Sequence, residues 1–179
     1  MSALIDPARL AEIAGIELLK GGHEEAERQF CVMEAVAYIA REPWSDEPQC
    51  VCPTLSTFMR SWNDSLPSNA DRDRLLKPLI PALIGTRGDD ALAERRSYMA
   101  LDWLIRVYTP KWLDLVPSLA THAKALRDCE EIADLAGATA AGELTRAARV
   151  AAWDAARDAA RAAARAAQAK HFLSIVGEE

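Results

Sequence analysis

The chain has 179 residues with 27 acidic and 21 basic side chains, which give a formal net charge of -6 at pH 7 and a pI near 5.2. This acidic balance argues against a protein that coats nucleic acid, and the length suffices for one domain with a sizeable core plus an appendage. No apolar run reaches the roughly 20 residues that span a bilayer, and no signal peptide opens the chain. We therefore expect a soluble, cytoplasmic protein with reduced thiols that does not engage membranes.

Helix signals begin near the first residues. Asp6 followed by Pro7 is typical of a helix start, and Gly21 with Gly22 ends that helix. The next helix is predicted over residues 24–41. It is apolar on nearly every side, and a helix of that kind belongs in the middle of a bundle.

The turn-rich segment 42–53 leads into a third predicted helix. Apolar residues recur there at i, i+3, i+4 and i+7, a spacing that predicts one buried face; they are Leu55, Phe58, Met59, Trp62 and Leu66. Helical rhythm continues from Asp71 to Ile84, where Pro78 and Pro81 should break or kink the chain.

Asp89 caps a further helix that is predicted to reach Tyr108 and to end at Pro110. Residues 98–107 are apolar all round the helix apart from a narrow polar stripe, so we expect them to be buried. Shorter helices should follow as far as about residue 135.

From about residue 138 the composition changes to an alanine-rich repeat with an arginine at nearly every fourth position. Alanine at this density stabilises a helix even without packing, so residues 138–170 are predicted to form one continuous helix. Residues 143–170 hold six basic and three acidic side chains, against an acidic body. We divide the chain into a helical bundle (1–137) and an alanine-rich helix with a short tail (138–179), packed on the bundle or on a second copy as a homodimer.

Four ionisable residues lie on helices whose surroundings are predicted to be apolar. Unpaired buried charge is costly, so we expect these residues to form an internal ion-pair network with a structural role: Glu34, Arg95, Asp102 and Arg106. A solvent-facing stripe and a ligand-binding cleft are the two alternatives.

Tryptophan together with arginine and aspartate is the composition of interface hot spots. Two segments have this composition, and their partner-binding candidates are Trp44, Asp46, Arg60 and Asp64. Trp62 is in register with core positions, so Trp44 is the tryptophan that we expect to be exposed.

Motifs for catalysis or metal binding are missing from the sequence. Cys50 and Cys52 have the wrong spacing for a zinc knuckle, and no second knuckle exists. No nucleophile elbow, glycine-rich phosphate loop or metalloprotease motif occurs. We therefore expect no metal, no cofactor and no catalytic residue.

Four segments carry a resemblance to a known family: EPWSDEPQC (42–50), FMRSWNDSLP (58–67), RDRLLKPLIPALIGTRG (72–88) and MALDWLIRVYTPKWLDL (99–115). They resemble a family of small helical proteins of actinobacteria and their phages that often end in Ala-Trp-Asp-Ala-Ala-Arg repeats. Members are described as immunity proteins, in the sense of neutralising a toxin, and no catalytic residues come with the family. The tail of this chain departs from the repeat, because Trp153-Asp154 occurs once and arginine replaces the further pairs.

The sequence thus predicts an all-α fold, an irregular helical bundle with a long C-terminal alanine-rich helix. Its predicted function is that of a non-enzymatic inhibitory protein of a mobile element, which binds a toxin or a host-defence component; anti-CRISPR-type inhibition is included. The alternative is a small helical enzyme or metabolite-binding domain that uses the Glu/Asp/Arg cluster.

Overall fold

A computed structural model describes the chain from Ile5 to Val176, and its side chains as far as His171. The α-helices are α1 (Pro7–Ala14), α2 (Val32–Ile39), α3 (Pro53–Ser65), α4 (Asn69–Leu76), α5 (Ile80–Leu83), α6 (Asp90–Asp102), α7 (Thr109–Leu113), α8 (Ala120–Asp128) and α9 (Leu135–Val176). Short 3-10 turns and one π-helical segment, Trp103–Tyr108, connect them. Within the described residues there is no strand, and Leu18 and Phe30 form an isolated bridge. The predicted all-α fold with a long C-terminal helix is confirmed.

The chain divides into two compact units, Met1–Ser97 and Tyr98–Glu179. This division differs from the predicted boundary between residues 137 and 138. The physical reason is that the first turns of α9 pack with the helices immediately before them, so that α9 completes the second core.

The core of the first unit is built around α2. All but one of its eight residues are buried, which confirms the predicted central position of this helix. The helix is shorter than predicted because Arg28 adopts a left-handed conformation (φ 55°) after a 3-10 turn, and α2 begins only after Cys31. The Cys31 sulfur accepts the Glu34 N–H, while the Glu34 carboxylate accepts the Cys31 N–H. This reciprocal cap defines the start of the helix.

The helix α1 packs beside α2 through its N-terminus. The Asp6 carboxylate caps α1 by accepting the N–H groups of Ala8 and Arg9, as the sequence predicts. The Asp6 N–H donates to the Ile39 carbonyl at the end of α2, and Arg41 pairs with the Asp6 carboxylate at 2.7 Å. One aspartate therefore joins two helix ends.

The predicted proline breaks occur where the sequence places them. The helix α4 ends at Leu76, Pro78 lies in a 3-10 turn, and Pro81 lies in the first turn of α5. A proline lacks the N–H that a continuing helix needs, so each one starts a new helical segment.

The second unit packs α7, α8 and the start of α9 around a small core. Its buried residues are Ile105, Leu113, Leu119, Ala123, Leu126, Ile132, Ala141 and Ala148. Further alanines as far as Ala155 pack partly against this core, whereas every residue from Ala156 to His171 is exposed. The continuous helix is confirmed. Residues 156–171 do not pack on the rest of this chain, and packing on a second copy stays a prediction.

The sequence predicts that the alanine-rich helix is anchored by its larger apolar residues, Leu144, Val150, Trp153, Phe172, Leu173 and Ile175. Those whose side chains the structure describes do not hold the far half of the helix. Leu144 is half-buried, whereas Val150 and Trp153 are exposed. The remaining anchors, Phe172, Leu173 and Ile175, lie outside the residues whose side chains are described. Alanine and arginine have high intrinsic helix propensity, so the far half can be helical without a packing partner.

None of the helices in the described part of the chain is long and apolar enough to pass through a membrane.

Candidate functional site

A row of large apolar side chains is exposed on the helical stretch 99–116 of the second unit. We call this surface the aromatic face; its exposed residues are Met99, Trp103, Leu104, Val107, Tyr108, Trp112, Leu115 and Val116. The Trp103 and Tyr108 rings stack with centroids 5.2 Å apart, and Tyr108 meets Trp112 edge-on at 6.2 Å. The three rings thus form one continuous aromatic surface.

Pro110 explains the local geometry of this face. An α-helix would require an N–H at position 110, and the proline ring would clash with the carbonyl four residues earlier. The chain instead widens into a π turn, in which the Thr109 N–H donates to the Leu104 carbonyl. The Thr109 hydroxyl donates to the same carbonyl at 2.7 Å. The helical path therefore continues to Leu113, and the prediction that Pro110 ends it is wrong.

The π turn also sets the alignment of the aromatic rings. In an α-helix, two residues five positions apart point about 140° away from each other. The i to i+5 hydrogen bonding of a π turn brings such residues to the same side, which allows Trp103 to stack on Tyr108. Single π turns inside helices occur frequently at functional sites.

The aromatic face carries little charge. Within the described stretch 99–116, Lys111 and Asp114 are the exposed charged residues. Asp114 pairs with Arg127 on α8 at 2.7 Å, so its charge is partly neutralised. A contiguous exposed apolar patch on a single chain is typical of an interaction surface.

The predicted network of four ionisable residues is not formed as one cluster. Asp102 and Arg106 do pair, at 3.1 Å, and Asp102 also accepts the Ile132 N–H at 2.9 Å. Both side chains are half-buried rather than buried, and the prediction that Arg95 is buried is wrong because it is exposed. Glu34 is buried, but it belongs to the first unit and pairs there with His23. The apolar character of residues 98–107 in the sequence predicts burial. Much of that character comes from the aromatic face, which is exposed.

The first unit contains an open cleft of about 550 Å³. It is lined by Gly22, His23, Glu24, Glu27, Glu34, Trp44, Ser45 and Asp46. Two of the predicted partner-binding residues, Trp44 and Asp46, therefore lie together, beside one residue of the predicted polar network.

His23 and Glu34 lie together in this cleft. The buried Glu34 carboxylate accepts the His23 backbone N–H at 2.6 Å and the Cys31 N–H at 2.7 Å. Its Oε2 also lies 2.9 Å from His23 Nδ1. A carboxylate can only accept, so His23 Nδ1 carries the hydrogen of this bond. The His23 side chain is 9% exposed.

The four partner-binding candidates hold loops in place. Trp44 is half-buried rather than exposed: its Nε1 donates to the His23 carbonyl at 2.7 Å, and its ring lies 4.9 Å from that of Phe30. Arg60 contacts Asp46 at 3.2 Å and Glu47 at 2.5 Å. Asp64 accepts the Gly21 N–H at 2.9 Å, which fixes the start of the cleft loop.

Two of the three cysteines of the first unit are inert by environment; the pKa of the third, Cys52, is held below its usual value, because a hydrogen bond with Arg96 and backbone hydrogen bonds outweigh the effect of burial. Burial raises the pKa of Cys31 to about 12 and that of Cys50 to about 11, so both remain protonated thiols at neutral pH. Cys50 and Cys52 are buried and unpaired. Across the described residues, no three or more His, Cys, Asp or Glu side chains are placed to hold a metal ion.

No protein-family model, no curated protein and no solved structure matches this chain. The aromatic face and the His23 cleft are therefore the features from which function can be inferred.

Sequence reasoning missed both features. The signal for the aromatic face was present, since two tryptophans, a tyrosine and several aliphatic residues crowd the stretch before Pro117. The helical periodicity of that stretch could not distinguish an exposed apolar surface from a buried one. No local signal connected His23 with Glu34, eleven residues later.

Proposed function

We propose that this chain is a non-enzymatic protein-binding protein whose partner docks on the aromatic face. The observation that carries this proposal is the exposed row of Trp103, Tyr108 and Trp112, in which Tyr108 stacks on Trp103 and meets Trp112 edge-on. Aromatic rings bury 150–250 Å² each when covered, and Trp and Tyr dominate the energetics of protein interfaces. Tyr108 lies between the two tryptophans and contacts both, and these contacts reduce the side-chain entropy lost on binding.

The partner is a protein that this chain inhibits, a toxin or a component of host defence. The resemblance of segments 42–50, 58–67, 72–88 and 99–115 to immunity proteins supports this class of partner. The net charge of -6 supports a basic partner, because complementary charge speeds association and disfavours wrong partners. Contacts at the aromatic face would then provide the binding affinity, and the acidic surface elsewhere would increase the association rate.

The alternative function, an enzyme whose site combines Glu34, Asp102 and Arg106, is disfavoured. Glu34 has its own partners in the first unit, and Asp102 with Arg106 forms a half-buried pair in the second. The exposed side chains of the aromatic face are apolar apart from the Tyr108 hydroxyl, a composition that suits binding.

Paired tryptophan variants test the role of the aromatic face. Trp112→Ala removes an exposed ring of the face, whereas Trp153→Ala removes a comparably exposed ring on α9, 59% against 67%. Each tagged variant is used to capture proteins from a lysate of the natural host, and the captured protein is then purified and titrated calorimetrically. We expect Trp112→Ala to weaken binding by at least about tenfold and Trp153→Ala to leave it unchanged. Equal affinities for all three proteins would overturn the proposal.

A photo-crosslinking amino acid gives an independent readout. Leu115 at the edge of the face and Leu135 at the start of α9 are equally exposed, at 72%. A crosslink to the purified partner from position 115, and none from position 135, is expected. If position 115 instead crosslinks to a second copy of this chain, the face is a homodimer interface and the inhibitory partner must bind elsewhere.

A further inference from the structure

We propose that a groove on the second unit binds a small organic acid with an elongated apolar tail. The groove has a volume of about 440 Å³, which is within the size range of small-ligand sites. Leu101 and Ile105 line one side, and the residues that line the other side belong to α9, between Ala138 and Arg149. We call it the α9 groove. Neither Leu101 nor Ile105 is among the exposed residues of the aromatic face, so the two surfaces can be tested separately.

The floor of the α9 groove is apolar and elongated. Ala138, Gly142, Thr145 and Arg149 follow one another at helical spacing, so they lie along one face of α9 over about 16 Å. The Thr145 hydroxyl donates to the Ala141 carbonyl at 2.8 Å, so its hydrogen is already used. An apolar ligand group that covers this floor would remove apolar surface from water.

Gly142 lies in the interior of α9, where glycine is a poor helix former and the neighbouring turns are rich in alanine. A methyl group at this position would meet no atom within 4 Å beyond the backbone of its own helix. Contact with another part of the described chain therefore does not explain why glycine is present instead of alanine. A ligand that lies against the helix backbone does explain it, because a Cβ would prevent so close an approach.

Two cations lie at one end of the α9 groove. Arg146 and Arg149 are both exposed, and neither forms an ion pair within the described chain. By contrast, Arg157 and Arg161 each pair with an aspartate three residues earlier. Among the described lining residues there is no acidic side chain. A guanidinium group binds a carboxylate through charge-assisted hydrogen bonds, so this end of the groove is complementary to an acid.

Two other occupants of the α9 groove are disfavoured. A phosphate without an apolar group would pair with the arginines but leave the apolar floor uncovered. The α9 helix of a second copy would bring like charges together, since residues 143–170 hold six basic and three acidic side chains. An acid with an apolar tail satisfies both the floor and the arginines.

The test is a titration of the ¹⁵N-labelled protein with octanoate. The Gly142 amide, assigned with a Gly142→Ala variant, reports on the floor of the groove, and the Gly85 amide of the first unit is the internal control. We expect a saturable shift at Gly142 with a Kd of about 1 mM or tighter. Acetate has the charge without the tail and 1-octanol has the tail without the charge, so each should bind at least about tenfold more weakly.

Three results of this titration would overturn the proposal. Octanoate and 1-octanol could bind equally well, which would mean that the arginines recognise no acid. A saturable shift of the Trp112 indole N–H with none at Gly142 would place the ligand on the aromatic face. A Gly142 resonance that shifts with protein concentration in the absence of octanoate would show that a second copy fills the groove.

Substitution of Gly142 separates binding from folding. Leucine and alanine are better helix formers than glycine, so Gly142→Leu and Gly142→Ala should both keep or raise the Tm. The leucine side chain would occupy the groove, and Gly142→Leu should weaken octanoate binding by more than about tenfold. An unchanged affinity in a folded Gly142→Leu protein would show that octanoate binds elsewhere and would overturn the site.

A matched pair of arginine variants separates the groove from general electrostatics. Arg149 and Arg165 are both exposed on α9 and form no ion pair within the described chain, but only Arg149 lines the groove. Arg149→Gln should weaken octanoate binding about fivefold, and Arg165→Gln less than about twofold. Equal weakening by both variants would show a long-range charge effect and would contradict recognition of the acid at this end of the groove.

Discussion

Glu34 is the residue on which the loop before α2 depends. Its buried carboxylate accepts hydrogen bonds from two backbone N–H groups and from Nδ1 of the His23 imidazole. The same carboxylate completes the cap of α2. Once the carboxylate is removed, the buried Cys31 N–H lies in the hydrophobic core without its acceptor. A single side chain therefore determines the loop conformation, the helix start and the shape of the cleft.

Glu34→Ala should lower the free energy of unfolding by on the order of 3 kcal/mol, since it leaves buried donors unsatisfied. Urea denaturation followed by circular dichroism measures this change. Glu25→Ala in the same loop is the control: Glu25 is exposed and its hydrogen bond with the Arg28 N–H uses its backbone carbonyl, which alanine keeps, so its change should stay within about 0.5 kcal/mol. Equal effects of the two variants would contradict the role of Glu34.

Asp6 makes the stability of the first unit depend on pH. The Arg41 guanidinium beside Asp6 holds the pKa of that carboxyl below its usual value, and the N–H groups of Arg9 and Ala8 act in the same direction. The folded pKa is below the unfolded value of about 3.9. The stabilisation is thus fully present above about pH 4, and it is lost as the pH falls through the lower, folded pKa.

Asp6→Asn tests this dependence, because asparagine keeps the helix cap but cannot ionise. The variant should be less stable than the parent near neutral pH, and the difference should shrink as the pH is lowered below about 4. Urea unfolding at a series of pH values measures it, with the exposed Asp90→Asn as the control. A difference that stays constant across this range would argue against the ion pair with Arg41.

The helix α9 is held to the second core by alanines. Ala141 and Ala148 are buried two turns apart, and Leu144 packs between them in a half-buried position. A methyl side chain lets two helices approach closely, so the helix lies where a larger residue would not fit. The same alanines that favour the helix therefore also determine its packing distance.

Ala148→Leu should destabilise the protein by about 1–3 kcal/mol, because three added carbon atoms must displace their neighbours in a closed core. Ala147→Leu places the same side chain on the exposed side of the same helical turn, where leucine is nearly as good a helix former as alanine. Thermal and urea unfolding of both variants give the comparison. If Ala148→Leu were as stable as Ala147→Leu, the packing of α9 in the second core would be disproved.

Because the two hydrophobic cores lie in separate units, the effect of a truncation on stability depends on where the chain is cut. The first turns of α9 contribute Ala141 and Ala148 to the second core, whereas the residues from Ala156 to His171 are exposed. The exposed part is a helix that can be removed without uncovering described apolar side chains of the core.

Deleting residues 157–179 should leave the Tm nearly unchanged, whereas deleting 138–179 should lower it and promote aggregation by uncovering Leu126, Ile132 and their neighbours. Calorimetry gives the Tm, and size-exclusion chromatography with light scattering gives the aggregation state. A large loss of stability from the shorter deletion would mean that the exposed half has a partner.

Local chemistry alone determined the helical fold. The Asp6–Pro7 start, the breaks at Pro78 and Pro81 and the continuous alanine-rich helix depend on backbone hydrogen bonds and side-chain sterics within a few residues. Such features are present in the sequence regardless of what packs against them, so the sequence predicts them correctly.

Only the tertiary structure decided which apolar surfaces are covered and which polar groups meet. Residues 98–107 have the pattern of a buried helix, yet Trp103 and Val107 are exposed, because the pattern records where side chains point and not what lies opposite them. His23 meets Glu34 only because the loop between them folds back on α2. The half-burial of Trp44 likewise depends on Phe30, which lies fourteen residues away in the sequence. Contacts of this kind depend on the path of the whole chain, and a sequence pattern of a few residues cannot encode that path.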